Sequence, residues 1–101
     1  MFEKCPITLK MVRSILRDGF FDEETCHGTI IRYVPEEECI YFLSDDRALS
    51  EYSLDAVYEC RITTKEKNIA CLGMVKDRYQ NKTGNIVKYK IQNGFYKNLV
   101  N

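Results

Sequence analysis

From Thr25 to Ile91 the chain reads as short runs of alternating apolar and polar residues separated by turn signals. This feature limits the fold most. A period of two sends successive side chains to opposite faces of a strand, and strands joined by tight turns pair antiparallel without crossover helices. The clearest run is Ala56 to Thr64, where Ala56, Tyr58, Cys60 and Ile62 alternate with Val57, Glu59, Arg61 and Thr63. Thr25–Val34 precedes it and ends at Pro35 amid Glu36, Glu37 and Glu38. Cys39–Leu43 follows, rich in the β-formers Ile40, Tyr41 and Phe42. After a Lys65–Asn68 loop, Ile69–Tyr79 is a fourth strand, apolar on both faces until Lys76. Beyond an Asn81–Gly84 turn, Asn85–Ile91 is a fifth, and Asn93-Gly94 signals a turn into a short closing strand with Phe95, Tyr96, Leu99 and Val100. Ser44–Asp55 reads as either a turn of helix from Asp46 or a short edge strand.

Upstream the period changes. Leu9, Val12, Ile15 and Leu16 fall on one stripe at helical spacing, with Thr8 placed as N-cap and Gly19 just past the end, so Thr8–Asp18 is expected as a helix. Phe20 and Phe21 then anchor it to the body. The expectation is one mostly β domain over residues 1–101: an antiparallel barrel or roll of five to seven strands, the helix packed on it or plugging one end. Leu9, Val12, Leu16, Tyr58, Cys60, Ile62, Leu72, Val87, Tyr89 and Ile91 are its expected core.

The length, 101 residues, suits one domain. No apolar run is long enough to cross a bilayer, and the charged start of the chain does not read as a signal peptide, so a cytoplasmic location is expected. The five cysteines are odd in number and lack C-x-x-C spacing. That argues against a disulfide framework or zinc ribbon, and Cys39, Cys60 and Cys71 read as buried reduced thiols.

Catalytic chemistry finds little support. His27, the sole histidine, neighbours Cys26, but adjacent strand residues face opposite ways. The carboxylates Asp45, Asp46, Glu51 and Asp55 read as a solvated loop, and no glycine-rich phosphate loop is present. Cations offer more. Net charge is zero, yet residues 1–64 carry seven Lys and Arg against thirteen Asp and Glu, a net of −6, while residues 65–101 carry eight against two, a net of +6. Arg13 and Arg17 would share one side of the expected helix and clamp an anion. Lys76, Arg78, Lys82, Lys88, Lys90 and Lys97 form a second set interleaved with Tyr79, Tyr89 and Tyr96, a composition compatible with a single-strand nucleic-acid surface or with acidic and basic strands lying side by side.

The strand opening Gly28-Thr29-Ile30, the Ala56–Ile62 strand, and the pair Ile69–Tyr79 and Asn85–Ile91 resemble the small β-barrels of the PilZ superfamily. They are most similar to the barrel that precedes PilZ in bacterial flagellar-brake proteins. The resemblance spans about two-thirds of the chain and is one of pattern. Cyclic di-GMP-binding members carry R-x-x-x-R followed by D/N-x-S-x-x-G. Arg13-Ser14-Ile15-Leu16-Arg17 matches the first as letters, and the second is missing. The resemblance therefore implies a PilZ-like barrel without the ligand motif. The expected function is a non-enzymatic binding or regulatory module with a protein partner or a second copy of itself, no cofactor and no cyclic di-GMP. The alternative is a nucleic-acid or nucleotide-binding barrel using the basic half. The candidate binding residues are Arg13, Arg17, Lys76, Arg78, Lys88 and Lys90.

Overall fold

Inward and outward side chains alternate along the long strands of the structure, a computed structural model that describes residues 2–14, 22–45, 48–92 and 94–97. The strands are β1 (Pro6–Ser14), β2 (Thr25–Val34), β3 (Cys39–Ser44), β4 (Ala56–Thr63), β5 (Asn68–Asn81), β6 (Gly84–Ile91) and β7 (Tyr96–Lys97). Every pairing is antiparallel. The order β4-β1-β2-β3-β6-β5 is closed by pairing β4 with β5, giving a six-stranded barrel, and β7 adds to β5 at Ile69 and Ala70. β5 is the long element. Its first half pairs with β4 as far as Gly73, and its second half continues with β6 to the Asn81–Gly84 turn.

The N-terminal helix is not there. Thr8–Ser14 belongs to β1, which pairs with β2 on one edge and with β4 on the other. Ile7, Leu9 and Met11 point inward and are buried, a period of two that the stripe at helical spacing concealed. Val12 points outward in step with this alternation, so that this expected core residue is 46% exposed, and a bulge between Met11 and Arg13 then turns Arg13 out as well. Two ladders of backbone hydrogen bonds outweigh the local helical preference. Residues 15–21, with Leu16 and Arg17, lie outside the described residues. So do Leu99 and Val100. Among the described residues there is no α-helix, and none is long and apolar enough to cross a membrane. Between Ser44 and Asp55 the described residues hold one 3₁₀ turn, Leu49–Glu51, and no strand beyond Ser44. Leu72 also departs from expectation. It lies opposite Glu59 on the outer face of β5 and is only half-buried.

The interior fills in layers. Ala56, Tyr58, Cys60 and Ile62 are all at most 1% exposed. Cys26, Leu9, Cys60 and Cys71 lie side by side at one level, each in register with the next. All five thiols are free, and four are buried. Burial pushes the Cys60 thiol well up, and a hydrogen bond with Cys71 adds to this. Three core tyrosines keep their hydroxyls satisfied. Tyr89 donates to Tyr58 O at 2.7 Å, Tyr58 accepts from Ser53 N at 2.9 Å, and Tyr52 pairs with Ser44 Oγ at 2.8 Å. Room for these rings comes from glycine. A Cβ on Gly73 would lie 2.1 Å from Lys90 O and 2.8 Å from the Tyr89 ring, and one on Gly28 would lie 2.6 Å from the Phe42 ring. One end of the barrel is covered by Phe2, Tyr33 and Phe95, with ring centroids 5.4–5.8 Å apart.

Replacing Ile62 by Ala should cost about 2–5 kcal/mol in denaturant unfolding, since a fully buried residue leaves a cavity. Gly73→Ala should destabilise by about 1–3 kcal/mol or more, because backbone rather than a mobile side chain stands in the way. A loss below about half a kcal/mol in either would show that the register of β4 and β5 is wrong. The raised Cys60 thiol also gives stability a pH dependence. The unfolded chain loses this proton at about pH 8.5 while the fold retains it, so the contribution is complete below that pH and is lost as pH rises. Wild type should lose more stability than Cys60→Ala between about pH 7 and about pH 10, and equal losses would contradict the assignment.

Candidate partner-binding face

Outward residues of β2, β3, β6 and β5 line up across the sheet in rows, because antiparallel register sets them opposite one another. The central row is Arg32, Tyr41, Lys88 and Asp77. Arg32 Cζ lies 5.8 Å from the Tyr41 ring centroid and Lys88 Nζ lies 5.7 Å from it, one cation from each neighbouring strand. Lys88 is held above the usual ammonium value, first by hydrogen bonding to the Tyr41 hydroxyl and then by nearby acidic groups. It is therefore charged across the physiological range. Asp77 faces Lys88 in register, but its Oδ1 accepts the Arg78 backbone N–H at 2.8 Å.

On one side of this row lie Leu43, Ile86 and Tyr79, with Tyr79 39% exposed. On the other side lie Cys39, Lys90 and Met74. There the surface opens into a groove of about 480 Å³ lined by Glu38, Met74, Lys76, Lys90, Ile91 and Gln92. The 3₁₀ turn Pro35–Glu37 leads into it through Glu38. Glu38 follows in the left-handed region at φ 55°, Ile91 N donates to Glu38 O at 2.8 Å, and Lys90 Nζ donates to Glu37 O at 2.7 Å. The lysine tip is thus tethered to a backbone carbonyl rather than to a carboxylate oxygen.

The structure divides the residues singled out from sequence. Lys76, Lys88 and Lys90 share this face. Arg78 does not, because a bulge between Val75 and Asp77 shifts the alternation and sends its side chain to the barrel mouth. There Nη1 donates to Leu49 O at 3.1 Å and to Tyr52 O, holding the Leu49–Glu51 turn over the core. Arg13 sits on β1, three strands from β6 around the ring, exposed and opposite Val57. It belongs to the far side of the barrel, and Arg17 lies outside the described residues. His27 faces out while Cys26 faces in. No group of three or more His, Cys, Asp or Glu among the described residues could hold a metal ion. Arg32 and Tyr41 were not singled out. Simple alternation puts Arg32 inward with Ile30, and the bulge between these two residues reverses it. The one detectable signal was Tyr41, an aromatic at an outward position of the Cys39–Leu43 alternation.

Family models, curated proteins and solved structures were compared with the chain, and none matches.

Arg78→Met should lower stability by about 1–3 kcal/mol, since the carbonyls of Leu49 and Tyr52 lose a charged donor. Lys88→Ala should leave stability within about half a kcal/mol. Thermal or denaturant unfolding of both variants checks the contrast, and equal effects would refute the division into a structural and a surface cation.

Proposed function

We propose that the chain is a non-enzymatic binding or regulatory module of PilZ-like type, acting in the cytoplasm, which takes a protein partner on the outward face of β2, β3, β6 and β5. The observation that carries this reading is the Arg32–Tyr41–Lys88 row. Its two cations are held over an aromatic ring rather than against carboxylates among the described residues, so their charge is available to an acidic protein segment. Steering by such charges speeds encounter and selects partners.

Protein is favoured over nucleic acid for two reasons. Tyr41 is flanked from both neighbouring strands, which leaves its ring poorly placed to stack on a base. Asp77, Glu37 and Glu38 interrupt the cations of this face, which suits separate carboxylates of a protein segment rather than a continuous run of phosphates. Cyclic di-GMP is disfavoured because Arg13 lies away from the other cations and the chain lacks the D/N-x-S-x-x-G element.

The test is affinity capture from native cytosol with wild type and with Arg32→Glu/Lys88→Glu. A protein retained by the first and lost from the second, with an acidic segment at the mapped contact, is the expected result. Identical retention by both would remove this face from the function. Calorimetry with cyclic di-GMP should give no heat of binding, and a micromolar signal would make the protein a second-messenger receptor instead.

A further inference from the structure

The groove beside the Tyr41 row narrows the chemistry of the partner, an inference that rests on reading this face as the binding surface. Met74 gives it apolar lining, Lys76 and Lys90 bring two ammonium groups and Glu38 one carboxylate, while Ile91 turns its side chain into the core. Lys76 occupies the bulge of β5 and is exposed, and Lys90 is braced against Glu37 O. A purely polyanionic ligand gains nothing from the apolar lining, and a purely apolar one gains nothing from the ammoniums. The fitting occupant combines both characters.

Spacing sets how they are combined. Lys88 and Lys90 are two residues apart on β6 and point the same way, one in the Tyr41 row and the other at the groove. An extended peptide laid along β6 repeats this step, since its side chains on one face also recur every two residues, about 6.6–6.8 Å apart. We infer that the partner segment is an extended acidic peptide in which a carboxylate residue sits over Arg32 and Lys88, and the residue two positions away is apolar and enters the groove over Met74. Lys76 and Lys90 then flank the apolar side chain and attract further carboxylates of the segment.

Two fluorescein-labelled peptides of equal composition test this by anisotropy against the full chain. One repeats Glu-Ser-Leu-Ser, which puts Glu and Leu on one face of an extended chain. The other repeats Glu-Leu-Ser-Ser, which puts each Leu on the face opposite Glu. Wild type should bind the first at least about tenfold tighter. Met74→Asp should lose that preference, as should Lys76→Glu, an exposed change that covers the case in which Met74→Asp does not fold. Lys88→Glu should lose affinity for both peptides. Equal affinity of wild type for the two peptides overturns the groove assignment, and so does a preference unchanged in Met74→Asp and Lys76→Glu. In those cases the face itself stands if Lys88→Glu still abolishes binding. Full binding by Lys88→Glu, or no binding by wild type, overturns the inference together with the face. Displacement of the peptide by a lower concentration of a single-stranded oligonucleotide overturns the class of occupant.

Discussion

A six-stranded ring needs one last pairing to shut, and here it is the ladder of β4 on β5 from Tyr58–Gly73 to Thr63–Asn68. Everything inside depends on it. It brings Cys60 against Cys71 and Ile62 against Ile69, and it leaves Tyr58 beside Gly73, where the missing side chain lets the Tyr89 ring reach Tyr58 O. Without that contact the buried Tyr89 hydroxyl and the Tyr58 carbonyl would lose a hydrogen bond in a low-dielectric interior, where unmet polar groups are costly. No described buried side-chain nitrogen or oxygen is in that position. Closure also removes the sheet edges that an open arrangement of these strands would expose.

The strands whose inner and outer faces differ in polarity were legible from residues alone. Ala56–Thr63 is the clearest case: its four inward residues are all buried, and Glu59, Arg61 and Thr63 point out. β1 was not legible. Leu9 and Val12 fit helical spacing as well as Leu9 and Met11 fit a strand, and the deciding factor was the presence of β2 and β4 on either side, which no local window contains. Leu72 misled differently, because β5 is apolar on both faces there and alternation gives no way to choose.

Bulges explain most of the remaining differences. They fall between Met11 and Arg13, between Ile30 and Arg32, and between Val75 and Asp77. Each inserts one residue and reverses the inward–outward pattern beyond it. Arg13 and Arg32 are thereby turned onto the outer face and Arg78 toward the barrel mouth, whereas Val12 already points out in step with Leu9 and Met11. The candidate face was thus half visible. Its lysines on β6 lie in an unbroken alternation, whereas its arginine depends on an irregularity that leaves no mark in composition.

The way β5 outruns β4 has a consequence for how copies of the protein behave in a crowded solution. Past Gly73, the β4-facing edge of β5 has no strand neighbour among the described residues. A flat apolar edge of that kind invites strand addition and growth into fibrils. Here the edge carries a bulge, followed by Lys76, Asp77, Arg78, Gln80 and Asn81, and Arg78 draws the Leu49–Glu51 turn across its inner side. Charge, kink and cover together make it a poor template. The barrel can therefore extend a long hairpin into solvent without offering it as a nucleus for aggregation.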